Sequence, residues 1–65
     1  MIKLKELREA SNITQIELAK ILNVSNTTIS NWERGYREPD INSLIKIADY
    51  FNVSLDYLLN RNIKK

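Results

Sequence analysis

One short pattern recurs three times in this chain: an asparagine, a branched apolar residue, then a hydroxyl side chain. It reads Asn12-Ile13-Thr14, Asn23-Val24-Ser25 and Asn52-Val53-Ser54. Asparagine tolerates the left-handed conformation that ends a helix, and Ser or Thr caps the helix that follows. The apolar residue between them should then contact the fourth helical position as a hydrophobic staple. The positions required are Leu18, Ile29 and Leu58, all apolar. Glu17, three residues after Thr14, completes a capping box. The same tripeptides, with Asn26-Thr27-Thr28, could be read as glycosylation acceptors of a secreted chain. The opening "MIKLKELREA" has no apolar run resembling a signal peptide, so each tripeptide is read as a helix junction.

Those junctions divide the chain into five short helices, over about 2–11, 14–22, 25–34, 40–51 and 54–60. Gly35 looks like the stop of the third, and Pro39-Asp40 starts the fourth with Asp40 as its cap. The apolar residues fall on one side of each segment. They are Leu4 and Leu7; Leu18, Ala19, Ile21 and Leu22; Val24, Ile29 and Trp32; Leu44, Ile45, Ile47, Ala48 and Phe51; and Leu55, Leu58 and Leu59. A chain of 65 residues makes one domain and buries only about 60% of its unfolded surface. Without Cys or His, neither disulfides nor the usual transition-metal ligands support it. One Gly and one Pro leave little room for a turn-dense β fold. The expected fold class is all-α, a compact five-helix bundle in residues 1–60, with 61–65 a basic C-terminal tail that frays. No segment approaches a membrane span of about 20 apolar residues, and the chain reads as cytoplasmic.

The third helix is odd. Its stretch Asn26 to Asn31 is Asn, Thr, Thr, Ile, Ser and Asn, each costing roughly half a kcal/mol or more relative to Ala. On a wheel with Ile29 at zero, Trp32 falls at about −60° and Thr28 at about −100°, flanking the buried side. Ser30, Arg34, Thr27 and Asn31 fall at about 100°, 140°, 160° and 200°. Short hydrogen-bonding side chains and one guanidinium thus share a stripe facing away from the core. Such groups can read base edges in a major groove: Asn suits adenine, and the Thr methyl packs on the thymine methyl. A merely solvated face would favour Glu, Lys, Gln and Ala instead. The net charge of +2 permits a nucleic-acid partner without arguing for one.

From Gln15 to Trp32 the chain resembles the helix-turn-helix of the lambdoid phage repressor/Cro (Xre) family. The residues that carry the likeness are Gln15, Leu18, Ala19, Leu22, Val24, Ile29 and Trp32, and it continues through "WERGYREPD" and "IKIADYFNVSLDYLL". One departure is Asn23, where the family's turn usually has Gly; Asn can adopt that conformation. The resemblance implies a lambda-repressor-like DNA-binding domain with its helix-turn-helix core at 15–34. It implies that Asn26, Thr27 and Asn31 read bases, with Ser30 beside them. Gln15 and Ser25 are implied on phosphate, and Arg34, Tyr36 and Arg37 clamp phosphate on the far side. Lys20 could reach phosphate but reads better as a solvated lysine. Glu33 sits about 40° from Ile29, on the inward half, where an unpaired carboxylate is costly. The resemblance pairs it with Arg8 as a structural ion pair.

The function so implied is sequence-specific binding of a double-stranded DNA operator by a small transcriptional regulator, a repressor of phage or mobile-element type. So small a domain contacts few bases, and the family solution is a homodimer on a pseudo-palindrome with half-sites about 10 base pairs apart. Leu55 and Tyr57 are the dimer candidates by resemblance; Tyr57 also reads as a core aromatic with its hydroxyl at the surface. The rival reading is a protein-interaction module that binds another regulator and not DNA. An enzyme lacks parts, because without His or Cys acid–base work falls to Asp, Glu, Lys or Tyr, and these do not converge. No catalytic residue, metal, cofactor or small-molecule ligand is called for.

Overall fold

The computed structural model describes residues 2–59, which form five α-helices. They are α1 (Leu4–Ala10), α2 (Gln15–Leu22), α3 (Asn26–Arg34), α4 (Ile41–Phe51) and α5 (Leu55–Leu58). No strand occurs among the described residues. No described helix is long and apolar enough to cross a membrane.

The junctions follow from their side chains. Asn12, Asn23 and Asn52 have φ of 59°, 60° and 58° and are the only non-glycine residues with positive φ among those described. Behind Asn23 the Val24 N–H donates to the Ala19 carbonyl (2.9 Å), and behind Asn52 the Val53 N–H donates to Ala48 (2.9 Å). Both are the six-to-one hydrogen bond of a Schellman ending. Gly35, at φ 82°, repeats it, with Tyr36 N–H donating to Asn31 (3.0 Å). Thr14, Ser25, Asp40 and Ser54 each accept from the backbone N–H three residues on. At Thr14 the Glu17 carboxylate accepts the Thr14 N–H in return, at 2.8 Å, closing the capping box. Each cap is worth about 1 kcal/mol. In so small a domain, four of them matter.

The expected helices included their N-caps, so the starts of α2 to α5 each move inward by one residue, while the ends of α2, α3 and α4 stay where they were expected. The first moves further. Instead of entering a helix at Ile2, the chain lays the Lys3 N–H on the Leu58 carbonyl at 2.8 Å, which straps the N-terminal end to α5. The fifth helix ends at Leu58, with Leu59 as its C-cap, short of the expected end because its last turn closes there; Asn60 and the basic tail at 61–65 lie outside the described residues.

Leu4, Leu18, Ile29, Ile47 and Leu58, one from each helix, are fully buried; Ala19, Leu22, Trp32 and Ala48 complete the core. Ile13, Val24 and Val53, the middle residues of the three junctions, pack against it with Leu7, Leu44, Phe51 and Leu55. Two expected core residues do not join. Ile21 is 43% and Ile45 42% exposed. Each lies at one margin of its helix's apolar arc, and the core closes over the other margin, where Ala19 and Ile47 are buried.

Candidate functional site

Helix α3 is held by its ends and its inner face. Ser25 Oγ accepts the Thr28 N–H at 3.1 Å and shares a second hydrogen bond with Thr28 Oγ1 at 2.8 Å. Ile29 and Trp32 anchor the inner face. On the outer side Asn26, Thr27 and Arg34 are exposed, while Ser30 and Asn31 are half-buried. Among the described residues no side-chain hydrogen bond engages Asn26, Thr27, Ser30 or Asn31. Their donors and acceptors are left for an outside partner. By contrast Ser25, read as a phosphate contact, spends its hydroxyl on the helix start, and one proton remains to be shared between it and Thr28.

Beneath the ridge lies a charged network. Glu33 accepts Arg8 Nε at Oε2 (2.6 Å) and Arg8 Nη2 at Oε1 (3.2 Å). Their side chains are only 12% and 4% exposed. Arg8 Nη1 also donates to the Ile13 carbonyl at 3.0 Å, tying α1 to the turn before α2. The hydrogen bond to Glu33 holds the Arg8 guanidinium above its ordinary pKa, outweighing burial, which acts the other way. Arg8 is therefore charged at any pH at which the protein is folded.

A third member was not read from the sequence. Gln15 Nε2 donates to Glu33 Oε1 at 3.0 Å. One amide N–H of Gln15 is thereby engaged inward, and the second remains available beside the ridge. The signal was present: counted from the buried Leu18, Gln15 lies about 60° round α2, on its inward half. Lys5 was also missed. With Arg8, Gln15, Ser30, Glu33 and Arg34 it lines a notch of about 290 Å³ between α1, α2 and α3.

At the far end of α3, the Arg34 guanidinium lies 5.9 Å from the centre of the Tyr36 ring, which is 70% exposed. Arg37 lines a cleft with Thr28, Asn31, Trp32 and Glu38. Lys20 is solvated. The structure thus gathers Asn26, Thr27, Ser30, Asn31, Arg34 and Gln15 along one ridge, with Arg37 at its side. Leu55 and Tyr57 sit elsewhere, on α5. Leu55 packs partly into the core, and Tyr57 is half-exposed with Lys3 Nζ 5.2 Å from its ring centre. Chemically, the ridge offers free amides and two hydroxyls, with guanidinium groups at one end. That surface suits an anionic partner carrying ordered donors and acceptors.

Residues 4–58 match the helix-turn-helix family model. The chain is 47% identical over 60 residues to the HTH-type transcriptional regulator ImmR of Bacillus subtilis, covering 92% of this chain and 47% of that protein. It therefore spans about half the length of that relative. An uncharacterized HTH-type transcriptional regulator of Methanocaldococcus jannaschii is 43% identical over 54 residues, which is 83% of this chain and 82% of that one. Among solved structures, the P22 c2 repressor in complex with synthetic operator 9T superposes with a TM-score of 0.84 at 35% identity, covering 92% of this chain and 91% of that one. The match runs from α1 into α5 and takes in the whole ridge and the network beneath it, so the chain belongs to the helix-turn-helix family, in the lambdoid repressor and Cro branch that its sequence resembles.

Proposed function

We propose that this chain binds double-stranded DNA in a sequence-specific manner, laying α3 in the major groove, and acts as a transcriptional repressor. One observation carries the reading. The outward side chains Asn26, Thr27, Ser30 and Asn31 have no side-chain hydrogen bond within the described protein, while Ser25 and Thr28 at the helix start and Arg8, Gln15 and Glu33 beneath the ridge are bound to one another. Placing costly helix formers there and leaving their polar groups unspent makes sense for a surface that reads base edges. Gln15, Arg34, Tyr36 and Arg37 hold the flanking phosphates, with Ser25 contributing its own hydroxyl proton when Thr28 donates the hydrogen bond between them. The operator-bound form of the P22 c2 repressor supports this reading.

The operator is a pseudo-palindrome bound by a homodimer, with the exposed Tyr57 and neighbouring Leu55 at the two-fold contact. Such a regulator works in the cytoplasm, where its DNA is. The test is selection of bound duplexes from a random pool. An enriched motif with two-fold symmetry and half-sites about 10 base pairs apart is expected. A pool that stays random after several rounds would refute sequence-specific binding.

A further inference from the structure

We infer that Lys3 is a positioning residue for Tyr57, fixing its ring on α5 so that a second copy of this chain meets an aromatic surface already in place. This rests on the homodimer proposed above and adds to it a residue at the start of α1.

Lys3 is badly placed for its own helix. It stands at the N-cap of α1, where its side chain makes no cap hydrogen bond among the described residues. The other four helices are capped by Thr14, Ser25, Asp40 and Ser54. A cation at that position also faces the positive end of the helix dipole. What Lys3 reaches accounts for it. Its N–H donates to the Leu58 carbonyl at 2.8 Å, which fixes the segment before α1 beside α5. From that anchor Nζ extends over the Tyr57 ring, 5.2 Å from its centre. Nζ also lies 3.6 Å from Glu6 Oε1, but the Glu6 side chain is 73% exposed, so that bridge is weak. The Tyr57 backbone is held as well, its N–H donating to Ser54 Oγ at 3.0 Å. Backbone and ring are thus both fixed on a residue that is still 50% exposed. A side chain ordered before it meets a partner loses less entropy on binding. Covering Tyr57 with a second copy also takes the cation–ring contact out of water, where such contacts are stronger. Both effects favour association, and two-fold symmetry brings each in twice.

The ratio of affinities for a selected two-fold operator and for the same duplex with one half-site scrambled measures the contact between copies. Lys3→Met keeps the apolar stem and removes the charge, and the Leu58 strap survives because it uses the backbone N–H. The ratio should fall by about tenfold, a few-fold from each copy, while half-site binding stays unchanged. Lys3→Arg keeps a cation for the ring and should restore most of the ratio. In a Tyr57→Leu background, which lacks the ring, Lys3→Met should have no further effect. Equal losses from Lys3→Met in both backgrounds would overturn the assignment, as would a Lys3→Arg variant no better than Lys3→Met. Weakened half-site binding would also overturn it, by showing that Lys3 acts on the DNA contact or on the fold. An unchanged ratio in Lys3→Met rejects the positioning role alone. Equal binding of both duplexes by the unaltered protein rejects the homodimer, and the role of Lys3 with it.

Discussion

Glu33 holds the Nε–Nη2 edge of the Arg8 guanidinium across the gap between α3 and α1, at 2.6 and 3.2 Å, with both side chains nearly out of water. The next residue along, Arg34, is exposed, with its guanidinium 5.9 Å from the centre of the Tyr36 ring. Two neighbours in sequence therefore serve opposite ends of the protein's design.

That division gives the first prediction. Glu33→Ala strands a buried guanidinium and should cost about 3–5 kcal/mol, against a total of roughly 5 kcal/mol for so small a domain. Partial unfolding at room temperature is expected. Arg34→Ala should leave the melting point nearly unchanged and weaken DNA binding. Thermal melts of both variants, with binding measured well below each midpoint, check the pair. A Glu33 variant as stable as the unaltered protein would contradict the energetics assigned to the pair.

Asn31→Ala should leave stability unchanged or slightly raised, because Ala favours helix and the Asn31 amide has no partner among the described residues. Affinity for a selected operator should fall by about 1–3 kcal/mol, and discrimination should relax at one base position. Binding to a panel of single-base operator variants measures this. Unaltered discrimination would remove Asn31 from the reading surface.

The left-handed asparagines predict an asymmetric response. Asn23, at φ 60°, separates α2 from α3. Asn23→Gly should be neutral or slightly stabilising, since glycine carries no steric penalty there. Asn23→Ala should cost roughly 1 kcal/mol, because Ala keeps the β-carbon that this conformation disfavours and loses the short polar side chain that offsets it in Asn. Denaturant titration of the two variants gives the comparison. Equal stability would mean that the turn relaxes to another conformation.

Asp40 supplies a pH dependence. Accepting the Ser43 N–H at 2.9 Å holds its carboxyl below the ordinary carboxylate range, the backbone hydrogen bond being the main cause. A depressed folded-state pKa stabilises the protein above the unfolded value, near 3.9. That contribution is lost as pH falls through the folded value. Asp40→Asn keeps an acceptor for the cap but does not titrate. Its stability should fall less steeply than the unaltered protein's as pH drops below about 4. Melting profiles between pH 2 and pH 6, a range set by the same carboxylate values, check this.

How much was legible in the residues depended on range. The helix junctions were local problems. Asn23 adopts its conformation because of its own side chain, and Ser25 reaches Thr28 within one turn, so a stretch of a few residues determined where helices stop and start. Helical spacing about Ile29 likewise determined which residues of α3 turn outward, because a rigid helix leaves no other choice once one face is buried. Packing decided the rest. Ile21 and Ile45 carry the same apolar signal as their buried neighbours, and only the approach of other helices shows that the core closes without covering them. Gln15 meets Glu33 across 18 residues of chain, and Lys5 comes to line one notch with Ser30 and Arg34 across more. Those meetings depend on the angles at which α1, α2 and α3 cross. Crossing angles come from how whole side-chain surfaces interdigitate, so only the tertiary structure placed these charges and amides beside one another.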